Sequence, residues 1–316
     1  MPRYKLVVNP AAGRGAGGKI RPSLEKILDQ AGVSYEITET TGPGDATRIA
    51  REASLGPDDV IVAVGGDGTS HEIVNGLVLG AQDRGEWANG KPVGTLGIIP
   101  IGSGDDLTWG LGFPQVDLEA ACRILLADHR RIVDLGQVTD DRERTEIFHN
   151  HLGGAFEAAV AIESLKLRGL PGMLLYLIAV ARIVPQYHHA VPVTVHYGDV
   201  TSTRPMLLVS TANGGRTGRT FKIAPDARPD DGLLDLILAS TSSIARIIWL
   251  LPHFIRGTHT TLTKWVTMDR ISHLVVEAPD GIPVHLDGEI FNPSARRLEV
   301  TVLPGRLQVV AVPGGR

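Results

Sequence analysis

The stretch Asp58–Leu77, DDVIVAVGGDGTSHEIVNGL, leaves this chain few ways to fold. Val60 to Val64 form an unbroken apolar run, mostly β-branched, which is the pattern of a strand buried on both faces. Gly65-Gly66-Asp67-Gly68-Thr69 interrupts it, and Ile73, Val74 and Leu77 then return with helical spacing. A strand feeding a glycine turn that opens a helix gathers bare backbone N–H groups at the helix N-terminus. The partial positive charge there favours a phosphate. Asp67 has no place in a passive phosphate cradle, because its carboxylate repels the ligand unless a cation or a proton intervenes. The unit points to phosphoryl chemistry.

Two neighbouring segments repeat the arrangement. Tyr4–Val8 reads as a strand entering Asn9-Pro10-Ala11-Ala12-Gly13-Arg14-Gly15, and Thr95–Pro100 as a strand ending in Gly102-Ser103-Gly104-Asp105-Asp106. A helix is predicted over 20–30, a strand over 34–38, and another helix from Gly44-Asp45 with Asp45 as its N-cap. In a parallel doubly wound sheet such turns gather at the carboxyl edge of the strands, where ligands bind. Residues 1–135 are therefore expected to form an α/β doubly wound domain. From residue 136 short β-rich runs separated by turn residues take over, at 146–152, 191–197, 205–212, 233–239, 274–278 and 283–286. They predict a mostly antiparallel β-sandwich domain over 136–297, with helices near 172–184 and 243–254. The tail, 298–316, reads as a terminal hairpin that returns to the first domain. No long linker separates the two, so a shared interface cleft is expected.

Composition narrows the function classes. The chain has 316 residues, 43% of them hydrophobic, and a formal net charge of −4 without a Lys/Arg run. A nucleic-acid partner is not expected, since such proteins carry a basic footprint. Cys122 is the only cysteine, which fits a reducing compartment and a packed rather than reactive thiol. The N-terminus shows no signal-peptide pattern, and the apolar run 170–185 is too short to cross a bilayer of about 30 Å. A cytoplasmic protein, at most peripheral at the inner face of the membrane, is expected. The histidines supply no zinc pattern: His149 and His151 alternate along a strand and His188-His189 adjoin, with no complementary ligand set. GxxxxGK[ST] is absent, and no GxGxxG follows the first strand with the dinucleotide spacing.

VVNPAAG, GGDGT with HEIVNGL, IPIGSGDDLTWGLG, KIAPDARPDDGLLDL and LDGE occur in that order. This series resembles the diacylglycerol kinase catalytic-domain superfamily of lipid kinases, which also includes sphingosine and ceramide kinases, and it covers nearly the whole chain. The resemblance implies an NAD kinase-like first domain, ATP and Mg²⁺ as cofactors, and a lipid substrate at a membrane surface; a homodimer stays open. It places Asn9, Pro10, Ala11, Ala12 and Gly13 along the nucleotide phosphates, with Thr40 nearby. Gly66, Asp67, Gly68, Thr69, Ser70, His71 and Glu72 would form the main phosphate loop, and Ser103 falls where the family has Thr. Asp67 and Asp106 would lie close to magnesium and the γ-phosphate, the alternative being helix caps. In a strand, His285, Asp287 and Glu289 would share one face. The resemblance makes Glu289 the proton acceptor for the lipid hydroxyl, with Asp287 beside it and Asp67 as the rival base. Arg228, Asp231 and Leu233 match a structural cation site of bacterial relatives, or else a hydrogen-bonded turn.

Asp105 stands where the family's GTxND motif has Asn, His71 stands where many bacterial members have Asn, and His71 with Gly102-Ser103-Gly104 leans toward the sphingosine-kinase pattern. The expected reaction is transfer of the ATP γ-phosphate to a lipid hydroxyl, that of diacylglycerol or a related lipid. A sphingoid-type lipid, a soluble acceptor such as NAD, and a nucleotide-binding regulator without catalysis are the alternatives. The helices at 170–184 and 244–256 are candidates for bilayer contact as well as for core packing.

Overall fold

The computed structural model describes residues 2–53, 55–56, 58–101, 106–113, 117–167, 172–188, 191–240 and 243–314. The chain divides into two compact units, Met1–Leu135 with Pro304–Arg316, and Gly136–Leu303.

In the first unit β1 (Arg3–Val8) leads through a short kinked segment, α1 (Ala12–Gly15), into α2 (Gly17–Ala31). Then follow β2 (Ser34–Glu39), α3 (Asp45–Arg51), β3 (Val60–Gly65), α4 (Asp67–Asp83) and β4 (Thr95–Pro100). The short α5 (Asp106–Gly110), α6 (Leu118–Ala127) and β5 (Arg130–Asp140) complete the run, and the end of β5 opens the second unit. The strands lie parallel in the order β2-β1-β3-β4, with Tyr4 opposite Val60 and Val60 opposite Thr95. Gln308 and Val309 add a parallel segment beside β4. The order reverses between β1 and β3, and such a switch point opens a crevice at the carboxyl ends of the two strands.

Burial explains why β3 reads as a continuous apolar run. Val60, Val62 and Val64 pack with Leu24 and Leu28 of α2 and with Ala121, Cys122 and Leu125 of α6. Alternation leaves Ile61 and Ala63, both fully buried, for the opposite face, where α4 packs on β3 and α3 on α4. Burial pushes the Cys122 thiol up to about 11, so it acts as a packing group.

The second unit contains β6 (Thr145–Phe148), β7 (His151–Ala155), α7 (Phe156–Lys166), α8 (Gly172–Ile183), β8 (Val191–Tyr197), β9 (Val200–Met206) and β10 (Leu208–Ala212). β11 (Leu234–Ala239), α9 (Ile244–Arg256), β12 (Val266–Ile271), β13 (His273–Leu286) and β14 (Glu289–Val310) follow. Its strands pair antiparallel in the order β12-β11-β10-β7-β13-β14, while β8 pairs with β13 and β9. Val193, Val195, Leu236, Val276, Val284, Leu286 and Val300 belong to one core, and α7, α8 and α9 contribute to a second.

One local expectation fails and two elements come unannounced, each for an identifiable reason. The tail is no hairpin. Pro304-Gly305 looks like a turn, but Gly305 (φ 64) gives its N–H to Asp134 at 2.7 Å, and the chain runs on as one 22-residue strand. Helix α7 was not anticipated, because FEAAVAIESLK mixes Ala with larger apolar residues and shows no single stripe. Strand β12, VTMDRI, is half polar and escaped the same way.

Candidate functional site

The sequence brings two glycine turns of the first unit together at the switch point. The Asn9 N–H donates to Val64 O at 3.0 Å, and its side-chain Nδ2 donates to Thr69 Oγ1 at 3.2 Å, so the ends of β1 and β3 are tied directly. Asn9 Oδ1 accepts from the Ala11 N–H at 3.0 Å, an Asx turn that bends the chain into α1. Pro10, Ala11, Ala12 and Gly13 form that bend, with Gly13 and Arg14 left-handed. Gly65 has to be glycine, because a Cβ there would lie 2.3 Å from Thr69 Oγ1.

Gly66, Asp67 and Gly68 form the partly exposed tip of the second turn, whereas Thr69, Ser70 and His71 are buried beneath it. Thr69 and Ser70 return their N–H groups to Gly66 O, and Ser70 Oγ donates to Asp67 O at 2.9 Å. Asp67 opens the 17-residue α4, whose apolar Ile73, Val74, Leu77 and Val78 anchor it to the core. One oxygen of Asp67 accepts the Asp106 N–H at 3.0 Å. That bond fastens the β3 turn to the start of α5, where Asp106 is itself buried. Ser103, with Gly102, Gly104 and Asp105, lies outside the described residues, as does His189.

Other members of the predicted loop look elsewhere. Glu72 accepts N–H bonds from Gly44 at 2.8 Å and Ala46 at 3.1 Å, so its carboxylate caps α3. This corrects the expected cap: Gly44, left-handed at φ 81, is the N-cap of α3. Asp45 instead takes the Thr41 N–H and hydroxyl, and those contacts with Arg48 hold its carboxyl below the usual range. Thr40 continues the β1–β2 pairing through its N–H to Val8 O. His71 faces Asn75, whose Nδ2 donates to the His71 carbonyl at 3.0 Å.

In the second unit, Asp287-Gly288 is a two-residue hairpin turn joining β13 to β14, with both residues at positive φ (51 and 95). A shared strand face for His285, Asp287 and Glu289 therefore does not exist; the Asp-Gly turn ends the alternation. The Asp287 side chain is fully buried and accepts from the His149, Asn150 and His151 N–H groups at 3.1, 2.9 and 2.9 Å. Its own N–H donates to His151 O at 2.8 Å. Asp287 thus clamps the 149–151 loop, while Glu289, immediately beyond the turn, is exposed.

Asp231 Oδ1 accepts the Leu233 N–H at 3.1 Å, Oδ2 pairs with Arg270, and Arg228 lies 3.9 Å from Asp230. Asp231 thus closes a hydrogen-bonded turn and pairs with a guanidinium. Burial raises the nearby Asp235 carboxyl to about 6; Arg270 pulls it back, and Asp231 and Asp226 push it further up. Its folded value lies above the ordinary 3.8, so its contribution is fully present below that pH and is lost as pH rises to about 6. Asp235→Asn is expected to add about 1–2 kcal/mol of stability at pH 7.5 and little at pH 3.5, as read by urea unfolding at both values. Partial exposure keeps this gain below the full linkage value of about 3 kcal/mol.

One cluster escaped the sequence reading. His151, Glu157 and His285 converge in the second unit, with ligand-type atoms all within 4.8 Å of one another. Ser210 Oγ donates to Glu157 Oε2 at 3.0 Å. Burial opposes ionisation of Glu157, but the charge of His151 and the hydrogen bonds from His285 and Ser210 outweigh it and hold the carboxyl down at about 2. Nothing in the spacing of these residues marks them; only the strand pairing of β7 with β13 joins them.

The chain matches the family model of the diacylglycerol kinase catalytic domain over residues 3–138. It matches the model of the YegS C-terminal NAD kinase beta sandwich-like domain over residues 152–311. It is 30% identical over 291 residues to a diacylglycerol kinase of Bacillus subtilis (strain 168), covering 92% of this chain and 90% of that one. A diacylglycerol kinase of Staphylococcus saprophyticus is 28% identical, covering 91% and 88%. The crystal structure of a diacylglycerol kinase from Bacillus anthracis superposes with a TM-score of 0.72 at 21% identity, over 99% of this chain and 98% of that one. Yeast NADH kinase complexed with NADH shares the fold at a TM-score of 0.52 and 11% identity, over 98% and 84%. With both units matched and a relative covered nearly end to end, the chain belongs to the lipid-kinase family built on the diacylglycerol kinase catalytic domain.

Proposed function

We propose that this protein transfers the γ-phosphoryl group of ATP, with Mg²⁺, to the hydroxyl of a membrane lipid, and that the lipid is diacylglycerol or a close relative of it. The observation that carries the reading is the bond from the Asp106 N–H to Asp67, which fixes a carboxylate at the carboxyl edge of β3 beside the N-terminus of α4. Mg²⁺ takes oxygen ligands and keeps several waters, so one or two carboxylates with phosphate oxygens suffice, and Asp67 and Asp106 are donors of the right kind on adjoining turns. When bound, that ion would offset the charge of the transferring phosphoryl group.

The protein's own groups do the rest. The backbone of Gly66–Gly68 and the start of α4 offer N–H groups and a positive dipole end to phosphate oxygens. Asn9 holds the β1 turn against this loop. Glu289, an exposed carboxylate on a turn locked by Asp287, is the proposed acceptor of the hydroxyl proton.

No helix among the described residues is long and apolar enough to cross a membrane. Helix α9 supports contact with a lipid surface in another way. It buries Ile247, Leu250 and Phe254 yet leaves Ile244, Ile248, Trp249 and Ile255 exposed by 39, 57, 45 and 38%. Arg246 and Arg256 belong to the same helix, an interfacial pattern. The double change Ile248→Asp with Trp249→Ala is expected to raise the vesicle concentration giving half-maximal rate by roughly tenfold, the ATP dependence staying as it was. Vesicle titration of initial rates measures this.

The decisive test is incubation with labelled ATP, Mg²⁺ and, separately, diacylglycerol, sphingosine and NAD, with products identified by mass spectrometry. A phosphorylated lipid is expected. Phosphorylated NAD with no lipid product overturns the reading, and ATP binding without any turnover favours a regulator.

A further inference from the structure

We propose that His151, Glu157 and His285 form a binding site for one divalent transition-metal ion of the zinc class, additional to the Mg²⁺ of the proposed reaction. The three ligands come from three elements. His151 opens β7, Glu157 is the second residue of α7, and His285 lies near the end of β13 directly opposite Gly153 of β7. Both imidazoles are buried, and their rings face each other at a tilt of 58° with centroids 5.4 Å apart.

Two of the three contacts have the spacing of a coordination shell, and all three donors lie within 4.8 Å of one another. His151 Nε2 lies 3.5 Å from Glu157 Oε2, and His285 Nε2 lies 3.5 Å from Glu157 Oε1. Charge-assisted hydrogen bonds close to about 2.7–2.9 Å, so these contacts are long for ion pairs. Ligands at about 2.0–2.1 Å from a tetrahedral centre stand roughly 3.4 Å apart, which is what the two contacts show. The space between the groups also has a structural cause. A Cβ on Gly153 would lie 2.3 Å from His285 Nε2 and 2.8 Å from the Glu157 carboxylate, so the missing side chain opens the space onto which the donors converge. Two imidazoles and one carboxylate select zinc-like ions over magnesium, and leave the fourth position for water or another small ligand.

The surroundings set the terms of binding. Ser210 orients Glu157, and the Gly288 N–H donates to His285 Nδ1 at 3.3 Å. With Nδ1 accepting, the neutral His285 ring carries its hydrogen on Nε2. A metal at Nε2 moves that proton to Nδ1, and the long Gly288 contact is given up. Occupancy is therefore sensed at the turn that follows β13.

Cobalt(II) serves as the spectroscopic probe, with full-length protein that has first been stripped with a chelator. One equivalent is expected to bind with intense visible bands of a four-coordinate site, to be displaced by one equivalent of Zn²⁺, and to resist millimolar Mg²⁺. His151→Gln and Glu157→Gln are expected to lower the cobalt affinity at least 100-fold, whereas the surface change His196→Gln leaves it unaltered. If those variants misfold, nitrogen-detected spectra of the wild-type histidine rings decide: zinc must shift the His151 and His285 rings, and the Gly288 amide with them. Weak six-coordinate spectra, displacement by Mg²⁺, or zinc shifts confined to other histidines overturn the proposal.

Discussion

Asp67→Asn is expected to lower kcat by on the order of 10³-fold while the protein folds and melts like the wild type. The substitution is unusually clean. An amide oxygen can still accept the Asp106 N–H, so the tie between the β3 turn and α5 survives while the negative charge is lost. If that charge serves only as a helix cap, the amide is nearly as good and turnover barely changes. If it serves the cation and the phosphoryl group, turnover collapses and the Mg²⁺ concentration needed for half-maximal rate rises. Initial rates at saturating ATP, titrated with Mg²⁺, separate the two, and near-normal turnover sinks the assignment of Asp67 to the reaction.

Asp287→Ala acts on stability. Three buried N–H groups lose their acceptor, each at a cost of about 1 kcal/mol or more, and alanine pays roughly 1 kcal/mol further for the left-handed φ of 51. A loss of about 4 kcal/mol is expected from urea unfolding followed by fluorescence. Asp287→Asn keeps one acceptor oxygen and tolerates that backbone, so about half the loss is expected. Glu289→Gln, two positions on and exposed, should stay within about 0.5 kcal/mol of wild type while losing turnover. Equal stability of the Asp287→Ala and Glu289→Gln proteins would contradict the clamp.

The contrast between these two acids shows what the sequence could and could not disclose. LDGE was legible as a motif, and Asp-Gly as a turn signal, but the three N–H groups that occupy Asp287 come from residues 149–151, far away in the chain. The first unit was legible because β3 and β4, buried on both faces, leave unmistakable apolar runs, and because the sequence after β1, β3 and β4 repeats one glycine-rich pattern. Glu72 follows the phosphate loop directly in sequence, yet helical rotation carries its carboxylate to the start of α3. His151, Glu157 and His285 fell outside any sequence pattern, since their convergence depends on which residue of β7 stands opposite which residue of β13. Register of that kind is a tertiary fact. It is written in the packing of Leu152, Val284 and Leu286 rather than in any local signal.

The long strand β14 has a consequence for how the protein is made. Its last residues belong to the first unit, and Thr95 is hydrogen-bonded to Gln308, 213 positions later. Joining ends so distant costs a flexible chain about 5 kcal/mol of closure entropy. On the ribosome, β1 to β4 emerge early but wait for the segment from Pro304 onward to complete their sheet. The second unit is thus an insertion within the first, and deletion of residues 304–314 is expected to harm the unit that carries the β1 and β3 turns.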